Sequence, residues 1–501
     1  KNVAMKFLFS LILALLFFFF FSAITLHVGP GQPYNSLSDA AQDAVPGDTI
    51  LFHSGTYPGG EFVNELQGTN TQWIYIRAES ASSVVIQGGT NSWQLSDAAY
   101  LKIEGFVFEQ QTGNGFNMDD GGSYDTPSHH ITFERCIFRD INASGNNDLL
   151  KMSGVNDFLI NHCDFINGSA GGSGVDMVGC HRGIIEQNLF ENLGSNAIQA
   201  KGGTQYLTIQ RNFFKNCGQR SLNLGGSTGL EFFRPIDATF EAADIQVFSN
   251  IFIGSVAPIA FVGCVRVEVI NNTIVSPEKW VMRILQETVD PDRFEPCGNN
   301  SFRNNIIYKS NAVSTDCNIG PNTAPETFLM SNNLWYNYEN TGNSTPNGIP
   351  VTDDNNIIGS NPEFANVVLE AFTLLENSPA IATGFNSMLP VIDYYGVNYA
   401  GLRSIGASEG KPDLSKANRI INDIGLKAFP NPFQDEIMIT WDGDYSNKLD
   451  FDIIDIYGRT IRKFNIENGN FIKLDIEIPG NYFLKLKDKI RLVDILKIQK
   501  F

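Results

Sequence analysis

The chain is short of base. Among 501 residues, 35 Lys and Arg stand against 54 Asp and Glu, a formal net charge of -19. General affinity for nucleic acid needs a basic face, so that partner class is excluded. Zinc-type cysteine spacing is missing as well: there is no CxxC pair and no Cys/His cluster of the kind that closes a tetrahedral site. The seven cysteines are odd in number, so at least one is expected to be unpaired or to bond another chain. Cys297 and Cys317 are the expected disulfide pair. Long helical periods are absent too, and 46 glycines with short hydrophobic runs favour many brief strands joined by turns. At 43% hydrophobic and 12% aromatic, the chain can still bury a large core.

One apolar run is long. Met5-Lys6 precede FLFSLILALLFFFF, and Ser22-Ala23 follow it. A charged start, an apolar middle and small residues at a cut after Ala23 read as an export signal over residues 1–23, with 1–4 lying upstream of the start. A retained membrane helix is the alternative, because the run is near the lower spanning length of about 17 residues.

The middle of the chain repeats itself. IEGFVF, FERCIF, INHCDF, IEQNLF, IQRNFF, VFSNIF, VINNTI, FRNNII and MSNNLW end on Phe108, Phe138, Phe165, Phe190, Phe214, Phe252, Ile274, Ile307 and Trp335. Two positions before the later anchors sit Asn188, Asn212, Asn250, Asn272, Asn305 and Asn333. Asparagine at one fixed place suits a turn, since its amide can bond the backbone and stack on the equivalent amide of the next coil. Cys136 and Cys163 hold that place in two earlier coils and read as stacked turn residues.

A second short strand follows each phrase: GFNMD, LLKMS, GVDMVG, AIQAKGG, SLNLGG, PIAFVG and VMRIL. Parallel strands of successive coils lie about 4.8 Å apart, with alternate side chains facing in and out. Ile198, Ala200, Leu222, Leu224, Ile259 and Phe261 therefore face a core. Their neighbours form two outward columns. One holds Asn117, Lys151, Asp176, Gln199, Asn223, Ala260 and Arg283; the other holds Asp119, Ser153, Val178, Lys201, Gly225, Val262 and Leu285. Repeats of this kind bury their apolar faces only by stacking, which makes an all-β solenoid of parallel coils. No helical period separates the strands, so a leucine-rich horseshoe is disfavoured. Leu37, Ala40, Ala41 and Ala44 predict a short amphipathic helix that plugs the open end of the core.

AAQDAVPGDTILFHSGTYPGG, GTNTQWIYIRAES and VVIQGG resemble the opening coils of right-handed parallel β-helix proteins, most closely the chondroitinase B and alginate lyase group of the pectate-lyase-like superfamily. NPEFANVVLEAFTLLENSPAIATG and IGASEG resemble the terminal coils of such proteins. The resemblance implies a right-handed parallel β-helix over residues 24–410, followed by a linker over 411–425. Beyond it, FPNPFQDEIMITW, FDIIDIYGRTIR and PGNYFLKLK resemble the C-terminal sorting domain of proteins exported by the type IX secretion system of Bacteroidetes-type bacteria, a small β-sandwich over 426–501. Pro430-Asn431-Pro432, Tyr457-Gly458-Arg459 and Gly480-Asn481-Tyr482 carry that match; an ordinary carbohydrate-binding sandwich is the alternative. The sorting domain implies the type IX machinery as a partner and a secreted or cell-surface protein, expected to be a monomer.

The acidic chain gathers base in one stretch, AIQAKGGTQYLTIQRNFFKNCGQRSLNLGGSTGLEFFRP, where Lys201, Arg211, Lys215, Arg220 and Arg234 face the single acid Glu231. Lys201 is outward, beside Gly202-Gly203, where missing side chains are expected to leave room for a ligand. The insert GGSTGLEFFRPIDATFEAAD then interrupts the repeat, and an insert on a regular solenoid normally serves a binding site. Arg211 and Lys215 are expected to face solvent.

The chemistry that fits is β-elimination on an acidic, uronate-containing polysaccharide. The C5 proton leaves only if the adjacent carboxylate is neutralised and the developing charge is stabilised. Lys201 is the expected base and Arg220 or Arg234 the carboxylate partner, with Asn223, Gln199, Asp176 and Lys151 as substrate contacts. The resemblance implies a catalytic lysine on one coil and an arginine on the next; the lysine matches Lys201, but the arginine's expected place holds Gly225. Lyases of that group also use calcium, held by clustered acids and amides. Here only Asn117, Asp119, Asp120 and Asp176 are near the right face, and no cofactor is assigned. Lys151 and Asp176 also read as a simple surface ion pair, and His181 as a turn histidine or a second base. His129 and His130 sit in a loop. A glycoside hydrolase on the same scaffold needs carboxylates about 5 to 9.5 Å apart around one cleft; Asp119, Asp120 and Asp176 are the candidates. A non-catalytic glycan-binding surface protein is the third possibility, and its signature, aromatic platforms in the outward columns, is missing.

Overall fold

Anchors recurring once per coil can all be buried only if the coils stack, and they do. In the computed structural model Phe108, Phe138, Phe165, Phe190, Phe214, Phe252, Ile274, Ile307 and Trp335 are consecutive partners along one parallel sheet. From Phe138 to Phe252 the rings stack at centroid separations of 4.7 to 5.0 Å, so each coil's ring is packed by the next. The structure describes residues 23–399 and 402–410 and, further on, 426–431, 433–441, 448–455, 460–474, 476, 480–488 and 491–500. Most of the expected export signal, the linker 411–425, Pro432 and Tyr457-Gly458-Arg459 lie outside the described residues. No helix among the described residues is long and apolar enough to cross a membrane.

Three long parallel sheets, of 16, 10 and 12 strands among the described residues, run the length of the solenoid. The asparagine positions form a hydrogen-bonded ladder inside one row of turns. Asn188, Asn212, Asn250, Asn272 and Asn305 each donate from Nδ2 to the Oδ1 of the next asparagine, at 3.0 to 3.1 Å, and the row reaches Asn333. Cys163 occupies the same row, its N–H donating to Asn188 Oδ1 at 2.7 Å. The residue before each ladder position, from Arg135 through Arg211 to Asn332, is left-handed, at φ between 52 and 57°. That bend aims the ladder side chain inward.

A short helix, Leu37–Ala41, covers the first coil, with Ser36 Oγ accepting from the Asp39 N–H at 3.0 Å and Leu37 and Ala40 buried in the core. The other end differs from the expectation of terminal coils. Parallel coils continue to Ile357–Ile358, after which Phe364–Asn366 and Ala371–Leu374 pair antiparallel. This segment joins Ile251, Val275, Ile306 and Leu334 in a second apolar cluster on the outside of the 12-stranded sheet. Those outward positions are apolar, and leaving them in water would forgo their burial. The C-terminal part forms one antiparallel sheet of Lys427–Phe429, Glu436–Thr440 and Phe471–Lys473 and another of Lys448–Asp455, Thr460–Glu467, Gly480–Asp488 and Arg491–Lys500, around a core that includes Trp441, Phe451 and Leu484.

The disulfide expected between Cys297 and Cys317 does not form. All seven cysteines are free and buried. Cys317 lies on a core-facing register with Met282, whereas Cys297 is beside Cys264, with Asn300 Nδ2 at 3.9 Å from both sulfurs.

Candidate active site

The ten-stranded sheet places its polar side chains outward in the predicted order. Asn117, Lys151, Asp176, Gln199, Asn223, Ala260, Arg283 and Asn318 are successive register partners. Val178 pairs with Lys201 in the next column. Asp176 is buried and stands between two lysines: Lys151 Nζ donates to its Oδ2, while Lys201 Nζ lies 3.7 Å from its Oδ1. Oδ1 has no hydrogen-bond partner. The pair read from sequence as a surface ion pair thus has an inaccessible carboxylate. Burial, helped by the Lys201 charge, holds the Lys151 ammonium below the ordinary lysine range, against the pull of Asp148. Burial likewise raises the Asp148 carboxyl.

Arg220 opens the adjoining strand, Arg220–Gly225. Its Nη1 donates to Asn223 Oδ1 at 2.6 Å and its Nη2 to Glu287 Oε1 at 3.1 Å, which brings the guanidinium onto the same outer face as Lys201. Asn223 is buried, and its Oδ1 is the acceptor that holds Arg220. Gln199, half-buried, takes part in a network with Asn196 and Ser173 at 3.3 and 3.5 Å.

The insert overturns one expectation. Gly202 and Gly203 do not leave room for a ligand. The place of a Cβ on Gly202 is 3.1 Å from Thr228 Cγ2, and on Gly203 it is 2.5 Å from the Arg234 carbonyl oxygen, so the chain's own insert fills the space. Gly154, Gly179, Gly202 and Gly263 each follow an outward strand at φ 61 to 65°, a turn that glycine serves at little cost. Across these turns the insert runs back as a strap. A Cβ on Gly179 would lie 2.3 Å from Arg234 Cβ, and one on Gly154 2.7 Å from Arg234 Nε. Arg234 ends on Asp120, with Nη2 donating to Oδ1 at 2.7 Å and Nε to Oδ2, and its guanidinium lies 4.9 Å over the Tyr124 ring. Arg234 thus clasps the strap to Asp120. The base of the strap is fixed by Glu241, fully buried, which accepts from the N–H groups of Gly202 and Thr228 and the hydroxyls of Thr228 and Thr288.

The rest of the basic stretch is paired as well. Arg211 donates to Glu186 at 2.7 Å and Lys215 lies 2.7 Å from Glu370, so neither simply faces solvent. His181 opens the strand His181–Glu186, with Nε2 3.1 Å from the Gly203 carbonyl oxygen and 3.0 Å from that of Arg234. His129 and His130 belong to the strand Ser128–Glu134 of another sheet. Among the described residues no group of three or more His, Cys, Asp or Glu is placed to hold a metal ion. Sequence reasoning gave no role to Glu287 or to Trp280, whose ring lies under the Arg283 guanidinium at 4.8 Å. The register gave Arg283 its column, but nothing local in the sequence tells which loop acid meets Arg220.

Residues 74–274 match the family described as a right handed beta helix region, and residues 427–498 match the secretion system C-terminal sorting domain. No curated protein matches the chain. Among solved structures, the fold is similar to that of pectate lyase Pel9A, at 15% identity and a TM-score of 0.52, over 78% of this chain and 97% of that one. An alginate lyase from Paenibacillus sp. str. FPU-7 aligns at 15% identity and a TM-score of 0.40, over 61% of this chain and 97% of that one. The solenoid is thus a right-handed parallel β-helix, and a sorting domain follows it.

Proposed function

We propose that this right-handed β-helix with a C-terminal sorting domain is an exported lyase that cleaves a uronate-containing polysaccharide by β-elimination. The observation that carries the reading is the pair Lys201 and Arg220, on neighbouring strands of one outer face, with Lys201 Nζ 3.7 Å from Asp176 Oδ1 and so beyond hydrogen-bond reach of it. Lys151 already occupies that carboxylate, so Lys201 is the less committed amine. In the reaction Arg220 pairs with the sugar carboxylate and stabilises the charge that develops as the C5–H bond breaks. Lys201 Nζ takes the proton as the base, the electron pair becomes the C4–C5 double bond, the C4–O bond breaks, and the leaving oxygen takes a proton from water. Asn223 and Glu287 aim Arg220, while Lys151 holds Asp176 away from the base.

A hydrolase is less well supported, because its candidate acids are engaged. Ser96 Oγ and Gln94 Nε2 donate to Asp119 at 2.7 and 3.1 Å, Arg234 holds Asp120, and Lys151 holds Asp176. The sorting domain supports export through the type IX machinery to the cell surface or beyond. The test is a panel of alginate, pectate, chondroitin and ulvan-type polymers, followed by the ultraviolet absorbance of unsaturated uronates. Wild type should generate that absorbance on at least one polymer, and Lys201→Ala and Arg220→Ala should abolish it while keeping the native circular dichroism spectrum. Binding without cleavage by wild type would replace the lyase with a glycan-binding protein.

A further inference from the structure

Arg283 stands in the outward column two coils past the strand of Arg220, and the residue between them in register with Asn223 is Ala260, which has no polar reach. Its Nε donates to an amide oxygen, Asn318 Oδ1, at 3.0 Å. Among the described residues it forms no salt bridge, because the nearby acid Glu287 is taken by Arg220. The Arg283 guanidinium lies 4.8 Å from the ring centroid of the half-buried Trp280, which also carries Lys279 Nζ at 4.3 Å. Burial and the Arg220 charge both disfavour the charged form of Arg283, with Glu287 only partly opposing them. Two guanidiniums near a single carboxylate that pairs with only one of them carry an excess of positive charge that an added anion relieves.

We propose that Arg283, positioned by Trp280, is a second anion subsite of the same groove, and that the ligand is a polyanionic glycan with acidic groups on more than one sugar. This rests on the uronate reading of Lys201 and Arg220. Neighbouring coils are about 4.8 Å apart, so Arg283 lies on a coil about 10 Å further along the solenoid axis than Arg220. That is close to the length of two pyranose residues. A chain lying across the strands and presenting one carboxylate to Arg220 therefore offers that of a later sugar to Arg283.

The experiment is calorimetric titration of the full chain with oligogalacturonates and oligomannuronates from di- to hexasaccharide, in a Lys201→Ala background that prevents turnover. With Arg283 intact, affinity should rise about tenfold or more between disaccharide and tetrasaccharide, the size of one good charged contact. Arg283→Gln should remove that gain and leave disaccharide binding unchanged; Trp280→Leu, which keeps the guanidinium but not its support, should remove part of it. If Arg283→Gln binds every length as tightly as the parent, the subsite is overturned while the uronate reading stands. If the parent binds no oligouronate of any length, the reading itself fails and the subsite with it.

Discussion

Arg234 and Asp120 are 114 residues apart in sequence, yet the guanidinium donates to both oxygens of the carboxylate, Nη2 to Oδ1 at 2.7 Å and Nε to Oδ2. The contact ties the insert that follows Gly226 to a coil four strands earlier in the ten-stranded sheet. Asp120 is almost fully buried, so removing Arg234 leaves a charge without its partner, a change that typically costs about 3–5 kcal/mol. Part of that loss should be taken up by release of the strap. Arg234→Ala and Asp120→Ala are each expected to make the insert sensitive to limited proteolysis, with cleavage between Gly226 and Glu241. Because the clasp acts through the strap, both variants should affect polysaccharide binding alike. A binding defect in Arg234→Ala that Asp120→Ala does not share would make Arg234 a substrate residue.

The asparagine ladder predicts a steep stability cost in its interior. Asn250 Oδ1 accepts from both the backbone N–H and the Nδ2 of Asn212, and its own Nδ2 donates to the Ile209 carbonyl and to Asn272 Oδ1. Asn250→Ala leaves several buried groups without partners at about 1–3 kcal/mol each, so a loss of about 3 kcal/mol or more is expected. Urea unfolding of the variant should show a lowered midpoint. A change under about 0.5 kcal/mol, the usual range for an exposed site, would mean that the ladder amides contribute only geometry.

The periodic features were legible because stacking repeats them. Phe214 and Asn212 recur once per coil, and the alternation around Ile198 and Ala200 fixes which neighbours face out, so core, ladder and columns follow from spacing alone. What could not be read arises where the chain leaves the repeat. Gly202-Gly203 looked like space for a ligand, but similar glycine turns follow Ser153, Val178 and Val262, and the insert covers them. Glu370 reaches Lys215 and Glu287 reaches Arg220 from segments whose path no local pattern encodes. Cys297 likewise gained its neighbour, Cys264, from the stacking of irregular turns.

Cysteine chemistry should report that packing directly. Burial raises the thiols of Cys180 and Cys317 to about 12, which keeps them protonated and poorly reactive. All seven should resist iodoacetamide in native protein and all should react in denaturant, as read by intact mass. A reducing agent should leave the melting temperature unchanged. Two carbamidomethyl groups missing after denaturing alkylation without reductant, restored when reductant is added first, would reveal a disulfide and contradict the free-thiol arrangement.

Asp353 gives the coil end a pH response of unusual sign for a carboxylate. It is buried, accepts from Asn333 Nδ2 at 3.0 Å and from Trp335 Nε1 at 2.7 Å, and burial outweighs both bonds, raising its pKa to about 6. An unfolded aspartate titrates near pH 3.9. Between those values the folded chain holds a proton that the unfolded chain has lost, so stability falls as pH rises from about 4 to about 6 and the full penalty persists at pH 7, with a slope of at most about 1.4 kcal/mol per pH unit for one proton. Ion-paired acids such as Glu104 and Asp157, whose pKa values are lowered, work in the opposite direction. The wild-type curve alone therefore mixes both signs, and the informative quantity is its difference from Asp353→Asn. That variant cannot titrate, so its stability relative to wild type should increase from pH 4 to pH 6 and then level off in scanning calorimetry. Curves that stay parallel across this range would show that Asp353 is ionised in the folded chain throughout.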